Sequence, residues 1–208
     1  MKTQRSAQPC ARYSRYGFIS PHNALLPYRA DDGKPVVAGA NPKIGFPGIC
    51  FSDGPRGMNE GTCFPTPSTR ANTFNVELDK QIAVLASSTH KVTDPLTLIT
   101  RVSGRTISKE LRAFGGNYFG GVCDNTAPNP KWGVMQESFG EDPLLVGSMG
   151  AALTRGPTEN VMACIKHFAL KSAENKRFQI DIKCDEGKLH DCYHPHFRQC
   201  FEKAAGKV

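Results

Sequence analysis

Two polar residues close a short apolar run in the second half of the chain. Residues 161–168 are Val-Met-Ala-Cys-Ile-Lys-His-Phe, so a cation and an imidazole, Lys166 and His167, follow five apolar residues. Such a run predicts a strand buried on both faces, and parallel α/β folds bind ligands at the carboxyl ends of such strands. Lys166 and His167 are therefore candidate site residues. The alternative is that Lys166 marks where the strand reaches water and His167 is a hydrogen-bonded core histidine.

Asp53 is a third candidate, in the same topological position. Residues 48–51 predict a short strand, and the turn-forming sequence Ser-Asp-Gly-Pro-Arg-Gly follows at residues 52–57. This order places Asp53 at the carboxyl end of a strand, as with Lys166 and His167. An Asx turn or a cap remains an alternative role, which the neighbouring Gly54 and Pro55 favour.

The cysteines and histidines do not have the spacing of a metal site. The eight cysteines are spread along the chain, without a close Cys-x-x-Cys pair, and are expected to be buried thiols more than a disulfide framework. One cluster of possible ligands contains Cys184, His190, Cys192, His194 and His196. A helix through this segment would spread these side chains around its circumference, whereas metal ligands must converge on one face. The sequence therefore predicts no metal and no cofactor.

The elements that must position these residues alternate between strands and helices. The patterns predict strands at 48–51, 117–124, 161–168 and 178–184, with a further strand edge at Cys63 and Phe64. Helices are predicted from Asn75 through Leu78 and Ile82, from Gly104 to Gly115, from Asp142 to about Leu153, and from Asp185 with a kink or later start at Pro195. This alternation predicts a parallel sheet or a barrel.

Size and charge exclude several classes of function. The 208 residues suffice for one large or two small domains, and the net charge of +7 is scattered, with no basic run interleaved with aromatic residues. A nucleic-acid partner is therefore not expected. No stretch of eighteen apolar residues predicts a membrane span, and residues 1–16 do not resemble a signal peptide. We expect a cytoplasmic protein with no membrane partner.

Four stretches, in this order, carry a resemblance to a known family. They are residues 51–57 (FSDGPRG), 114–123 (FGGNYFGGVC), 136–143 (QESFGEDP) and 166–168 (KHF). Together they resemble the N-terminal barrel of glycoside hydrolase family 3, the β-glucosidase-type enzymes. The resemblance covers about residues 41–205 and implies an α/β fold, an incomplete (β/α)8 barrel of TIM type. Residues 1–41 are then an irregular lead-in segment, and residues 42–208 are a partial barrel domain.

The resemblance implies a sugar-binding role for the three candidates. The family implies retaining hydrolysis of terminal non-reducing β-D-glucosyl residues in carbohydrate catabolism, with a β-glucoside or oligosaccharide as substrate. By analogy Asp53 accepts hydrogen bonds from hydroxyls of the sugar, while Lys166 and His167 donate to others. Trp132 or Phe51 could stack on the sugar ring, although core packing is the favoured role of each. The implied roles replace the purely structural interpretations of Asp53, Lys166 and His167.

The two catalytic carboxylates of the family are not expected among these residues. Retention requires a nucleophile and an acid/base about 5 to 5.5 Å apart. The family's nucleophile is an Asp in a Ser-Asp-Trp type motif and its acid/base lies in a second domain, both beyond Val208. Asp181, Asp185 and Glu186 lack the required sequence context. We therefore expect the chain alone to be inactive. The alternatives to a β-glucosidase-type function are a non-enzymatic sugar-binding remnant, a gene-model fragment, or a β-xylosidase or N-acetylglucosaminidase of the same family.

Three departures from the family pattern affect these expectations. Val134 stands where relatives usually carry an arginine that reaches the sugar, and Lys171 stands in place of an asparagine. Residues 84–103 interrupt a helix that the family keeps continuous, and their composition predicts an insertion, such as translated non-coding sequence. A partial barrel also leaves an open sheet edge, which predicts marginal stability or self-association.

Overall fold

The computed structural model describes residues 18–19, 25–26, 35–58, 61–73, 95–175, 177 and 179–204. Near the start of the chain, β1 (Phe18–Ile19) pairs antiparallel with β2 (Leu25–Leu26). The helix predicted from Asn75 lies outside the described residues, as does Cys10.

A four-stranded sheet carries the candidate site. Its strands are β3 (Val36–Ala38), β4 (Ile49–Ser52), β5 (Tyr118–Cys123) and β6 (Met162–Lys166), in that spatial order. β3 runs antiparallel to β4, whereas the β4–β5 and β5–β6 pairs are parallel. The three predicted strands at 48–51, 117–124 and 161–168 are confirmed, as is their parallel arrangement. Their carboxyl ends consequently meet at one edge of the sheet.

Within the described ranges, five α-helices accompany the sheet: α1 (Pro67–Ala71), α2 (Pro95–Ala113), α3 (Pro143–Arg155), α4 (Glu186–Lys188) and α5 (Pro195–Ala204). The start of α3 is as predicted, because the Asp142 side chain accepts a hydrogen bond from the Leu144 backbone N–H at 3.0 Å and Pro143 takes the first helical position. Val146, Met149 and Leu153 of α3 are fully buried in the core.

The predicted start of a helix at Gly104 is wrong, because α2 already begins at Pro95. Residues 95–103 and 104–113 form one continuous helix. Gly104 lies in its interior, where a Cβ atom would come within 2.6 Å of the Leu153 carbonyl oxygen of α3. This glycine therefore permits close packing of two helices instead of marking a helix end. The insertion at 84–103 stays a prediction, and residues 84–94 lie outside the described part of the chain.

Two predicted strands are absent from the described residues. Cys63 and Phe64 lie in a loop, and residues 179–184 are not assigned to a strand. Ile180 and Ile182 are 45% and 42% exposed, so their alternation meets no sheet in the part of the chain described. The expectation that the strand at 161–168 is buried on both faces is also wrong, since Met162 is 48% exposed. β6 pairs with β5 and, within the described ranges, with no other strand.

The C-terminal helix is interrupted where its proline predicts. The Asp185 carboxylate accepts a hydrogen bond from the Lys188 backbone N–H at 3.1 Å and caps α4. A π-helical turn, Leu189–Tyr193, follows, and α5 begins only at Pro195. Phe197 and Cys200 of α5 are buried.

The cysteines within the described ranges are all free thiols, but only Cys123 and Cys200 are buried, while Cys63 is exposed. The expectation of generally buried thiols is therefore only partly right. No helix in the described part of the chain is both long enough and apolar enough to cross a bilayer.

Candidate functional site

The structure brings Asp53 and Lys166 into direct contact. Lys166 ends β6 and Asp53 follows β4, so the two side chains meet across the intervening strand β5. Lys166 Nζ pairs with Asp53 Oδ1, and the Lys166 side chain is only 12% exposed, against 34% for Asp53. On β5, a Cβ atom at Gly120 would lie 3.2 Å from Asp53 Oδ1. The glycine therefore keeps β5 clear of the carboxylate.

The charges around Lys166 keep it protonated. Burial by itself lowers the pKa of Lys166, but Cys123, Asp53 and Glu137 raise it, and its pKa lies above the ordinary value. Burial raises the pKa of the Cys123 thiol well above its usual value, so that thiol is neutral. The carboxylates of Asp53 and Glu137 are consequently the groups that stabilise the ammonium at neutral pH.

Glu137 is a residue of this neighbourhood that our sequence analysis did not single out. It lies in the short 3-10 turn Met135–Glu137, and its Oε2 accepts a hydrogen bond from Cys123 Sγ at 3.0 Å. Cys123 is the last residue of β5 and faces Lys166 in the parallel register. The signal was available, because Glu137 belongs to the stretch QESFGEDP, which we used only as a family marker.

His167 is held through its backbone by a second residue that our sequence analysis missed, Asn125. The His167 N–H donates to Asn125 Oδ1 at 2.8 Å, and the His167 carbonyl accepts from Asn125 Nδ2 at 2.9 Å. The buried Nδ1 of the imidazole has no hydrogen-bond partner. The sequence offered no spacing that would link Asn125 to a residue 42 positions away.

The His167 imidazole is neutral at physiological pH. Burial, followed by the positive charges of Lys171, Lys166 and Arg177, lowers its pKa to about 3. A neutral imidazole has one N–H donor and one acceptor nitrogen. The imidazole can therefore hydrogen-bond a hydroxyl in either sense.

A second charged group connects the loops beside His167, and Glu174 is at its centre. Glu174 Oε1 accepts from Trp132 Nε1 at 3.3 Å and pairs with Lys171 Nζ at 2.7 Å, and Glu174 Oε2 lies 3.7 Å from Arg177 Nη1. Lys171, one of the departures from the family pattern, is thus an ion-pair partner of Glu174. Trp132 is only 6% exposed, which favours packing over sugar stacking for this ring.

Three carboxylates near the end of the chain lack the family's sequence context and are not proposed as catalytic residues. Asp181 and Glu186 are exposed, and Asp185 caps α4. Among the described residues no three or more His, Cys, Asp or Glu side chains converge as a metal site would require. Val134, the other departure, precedes the 3-10 turn and brings no cation to the site.

The edge thus presents a carboxylate, an ammonium and a neutral imidazole at the ends of parallel strands. Charged donors and acceptors make short, strong hydrogen bonds with hydroxyl groups. These three side chains are fixed at the ends of strands, so they can recognise a neutral polyol by the directions in which its hydroxyl groups donate and accept hydrogen bonds.

Several curated proteins are similar to this chain. It is 26% identical to thermostable beta-glucosidase B of Acetivibrio thermocellus over 178 residues, which cover 78% of this chain and 21% of that protein. It is 31% identical to beta-D-xylosidase 1 of Arabidopsis thaliana over 166 residues, covering 71% and 18% of the two chains. The chain spans about a fifth of the length of these relatives.

Solved structures and a family profile agree with these similarities. Beta-glucosidase 3B from Thermotoga neapolitana in complex with glucose superposes with a TM-score of 0.64 at 25% identity, covering 82% of this chain and 23% of that one. The Kluyveromyces marxianus beta-glucosidase in complex with glucose gives 0.65 at 25% identity, covering 82% and 19%. Strands β3 to β6 form an open, incomplete sheet of the TIM-barrel-like α/β fold. Since the profile of the glycosyl hydrolase family 3 N-terminal domain matches residues 40–208, the chain belongs to glycosyl hydrolase family 3.

Proposed function

We propose that Asp53, Lys166 and His167 bind the ring hydroxyls of a terminal β-linked glucosyl unit. The observation that carries this proposal is the Lys166–Asp53 pair next to the neutral His167 at the carboxyl edge of the parallel strands. The family membership supports a glycoside as the ligand, and two solved relatives are described as complexes with glucose.

The charge pattern suits a neutral sugar. Asp53 is about one-third exposed, so its carboxylate can accept a hydroxyl hydrogen while still paired with Lys166. The ammonium has three N–H groups, and those not directed at Asp53 can donate to an adjacent hydroxyl. Hydrogen bonds of this kind can strengthen as a sugar ring flattens toward an oxocarbenium-like transition state. The same residues would then contribute to catalysis in a complete retaining enzyme.

For the whole protein we propose retaining β-glucoside hydrolysis. A β-xyloside is the second candidate, because a relative at 31% identity is a beta-D-xylosidase. The two sugars differ by one hydroxymethyl group, which the three proposed ligands do not discriminate by charge. Competition between methyl β-D-glucoside and methyl β-D-xyloside for the purified chain would decide between them.

Binding to the chain itself is the direct test. Glucose titrated against isotope-labelled chain should shift the amide resonances of residues near Asp53 and His167. We expect Asp53→Asn, Lys166→Met and His167→Gln each to weaken binding by about tenfold or more, since each weakens or removes a hydrogen bond that the proposal assigns to a sugar hydroxyl. Lys109→Met, an exposed lysine on α2, is the matched control and should bind as the wild type does. Undiminished binding by all three site variants would refute the proposal.

Turnover by the chain alone is a separate question. We expect little or no release of an aryl leaving group from an aryl β-glucoside by the purified protein. Measurable release that persists after removal of host enzyme, and that disappears in Asp53→Asn, would contradict this expectation.

We also propose that copies of the chain associate through the edge of β6. Met162 of this strand is 48% exposed and Phe168, just beyond it, is 70% exposed. Exposed strand edges with apolar side chains favour pairing between chains. Light scattering should report a concentration-dependent mass that Met162→Lys reduces, whereas Leu144→Lys, at an exposed position on α3, should leave it unchanged. A monomer at all concentrations would exclude the association.

A further inference from the structure

The carboxamide of Asn125 continues the pairing of β5 with β6 beyond the end of both strands. Regular pairing ends at Cys123 and Lys166, and the Asp124 N–H still donates to the Lys166 carbonyl at 2.7 Å. At the next position the Asn125 side chain takes over, because its Oδ1 and Nδ2 bind the N–H and the carbonyl of His167. Both backbone groups of His167 are therefore satisfied by one side chain.

Asn125 is itself firmly held. It is 2% exposed, and its carbonyl accepts a hydrogen bond from Ser138 Oγ at 2.7 Å. Ser138 is fully buried, and its Oγ also accepts from the Gly140 N–H at 3.1 Å. The segment at 138–140 thus holds the backbone of Asn125, and the carboxamide is oriented by its two hydrogen bonds with His167.

The imidazole of His167 has no comparable hydrogen bond at Nδ1. That nitrogen is buried and has no hydrogen-bond partner, so no hydrogen bond at Nδ1 orients the ring. The direction of the ring then depends on the backbone of His167, which Asn125 sets. We propose that Asn125 is a positioning residue that orients His167 toward the bound sugar.

This inference rests on the proposed sugar-binding role of His167, but its structural part can be measured without a sugar. Asn125→Asp keeps an acceptor for the His167 N–H and replaces the donor to the His167 carbonyl by a second acceptor. It also adds a negative charge close to His167, whose pKa is otherwise lowered by the cations Lys171, Lys166 and Arg177, two of which pair with Glu174. The added charge alone would raise the pKa of His167, so the titration reports that residue 125 lies against the imidazole. Glucose affinity is the readout that a merely space-filling residue would leave unchanged.

The experiment combines an imidazole titration by NMR with glucose binding. In Asn125→Asp we expect the pKa of His167, assigned with His167→Gln, to rise by about one to two units in the absence of sugar. We expect glucose binding to weaken by about tenfold, because a donor at the His167 carbonyl is lost. Asn160→Asp is the matched control, since Asn160 precedes the amino end of β6 and its amide donates to Ser108 Oγ on α2 at 3.0 Å. Both readouts should stay at wild-type values.

Each outcome decides one of the two claims. An unchanged His167 titration, or wild-type glucose affinity, in Asn125→Asp overturns the positioning role. A shifted titration in a protein whose wild type binds no glucose retains the structural coupling but refutes the proposed function. If Asn125→Asp does not fold, Ser138→Ala, which removes the hydrogen bond to the Asn125 carbonyl, replaces it. We expect that variant to shift the His167 resonances and weaken glucose binding, and the absence of both effects would also overturn the inference.

Discussion

Lys166 and Asp53 pair across strand β5, although 113 positions separate them in the sequence. The two partners are unequally buried, since the Lys166 side chain is 12% exposed and the Asp53 side chain 34%. An isolated charge is costly in proportion to its burial. The consequences of removing one partner should therefore differ between the two.

The first prediction follows from this inequality. Asp53→Asn leaves a buried ammonium without its contact carboxylate and should lower the free energy of unfolding by about 2–3 kcal/mol. Lys166→Met leaves a carboxylate that water can reach, so it should lower the free energy of unfolding by about 1 kcal/mol or less. Urea unfolding of both variants measures the difference. Removal of the exposed Arg198–Glu202 pair by Arg198→Gln is the control and should change nothing measurable. Equal losses in the two site variants would show that burial does not govern the pair.

The second prediction concerns pH. The folded pKa of His167 is lowered to about 3 and that of His196 to about 4, so below pH 6.5 the unfolded chain binds protons that the folded chain does not. Above pH 6.5 both imidazoles are neutral in the folded and unfolded chain, so they add no pH dependence to the free energy of unfolding. Below pH 6.5 the free energy of unfolding decreases as the pH falls. Each histidine should contribute a slope of about 1.4 kcal/mol per pH unit between pH 6 and pH 4.5.

His167→Gln should remove about half of this combined slope, whereas substitution of the exposed His190 should remove none of it. Chemical unfolding at several pH values gives the measurement. An unchanged slope in His167→Gln would mean that His167 is protonated in the folded protein, contrary to its surroundings.

The third prediction concerns a buried carboxyl behind the site. Asp124 is fully buried, its Oδ2 accepts from Cys200 Sγ at 3.1 Å, and its Oδ1 has no partner. Burial raises the pKa of Asp124 well above its usual value. A raised folded pKa means that the stabilising effect is complete at low pH and is lost as the pH rises through the folded value.

Asp124→Asn cannot ionise and should therefore be more stable than the wild type at pH 8, where the raised pKa of the buried Asp124 carboxyl lowers the stability of the wild type. The gain should vanish near pH 4. Thermal unfolding at both values tests this, with the exposed Asp181→Asn as a control that should match the wild type at each pH. A gain of equal size at both values would point to packing instead of ionisation.

The sequence predicted the parts of the site that depend on strand ends. Asp53, Lys166 and His167 each follow an apolar run, and parallel strands bring such ends together. Asn125 and Glu137 could not be found this way, because their contacts join loops and strand ends that no periodic pattern relates. The predicted strand at 178–184 failed because alternation shows which face would be apolar, but not whether a partner strand is present. The start of α2 was misplaced because its buried Thr100 and Ser103 are polar and obscured the helical pattern.

The last prediction uses the only tryptophan of the chain as a probe of the loops beside His167. Trp132 is buried, and its indole N–H donates to Glu174, which also holds Lys171 and Arg177. Glu174→Ala removes the acceptor and leaves the two cations without this carboxylate, so the loops should separate and water should reach the indole. We expect the fluorescence emission of Trp132 to move to longer wavelength.

Glu174→Gln separates hydrogen bonding from charge in this group, because its amide oxygen can still accept the indole N–H while the negative charge is lost. Its emission should stay close to that of the wild type at low salt, as should that of the exposed control Glu141→Ala. If Glu174→Gln instead shifts the emission as much as Glu174→Ala does, the ion pairs with Lys171 and Arg177 hold the loops and the indole hydrogen bond is secondary. If neither variant shifts it, Trp132 is fixed by core packing alone and Glu174 does not hold these loops together.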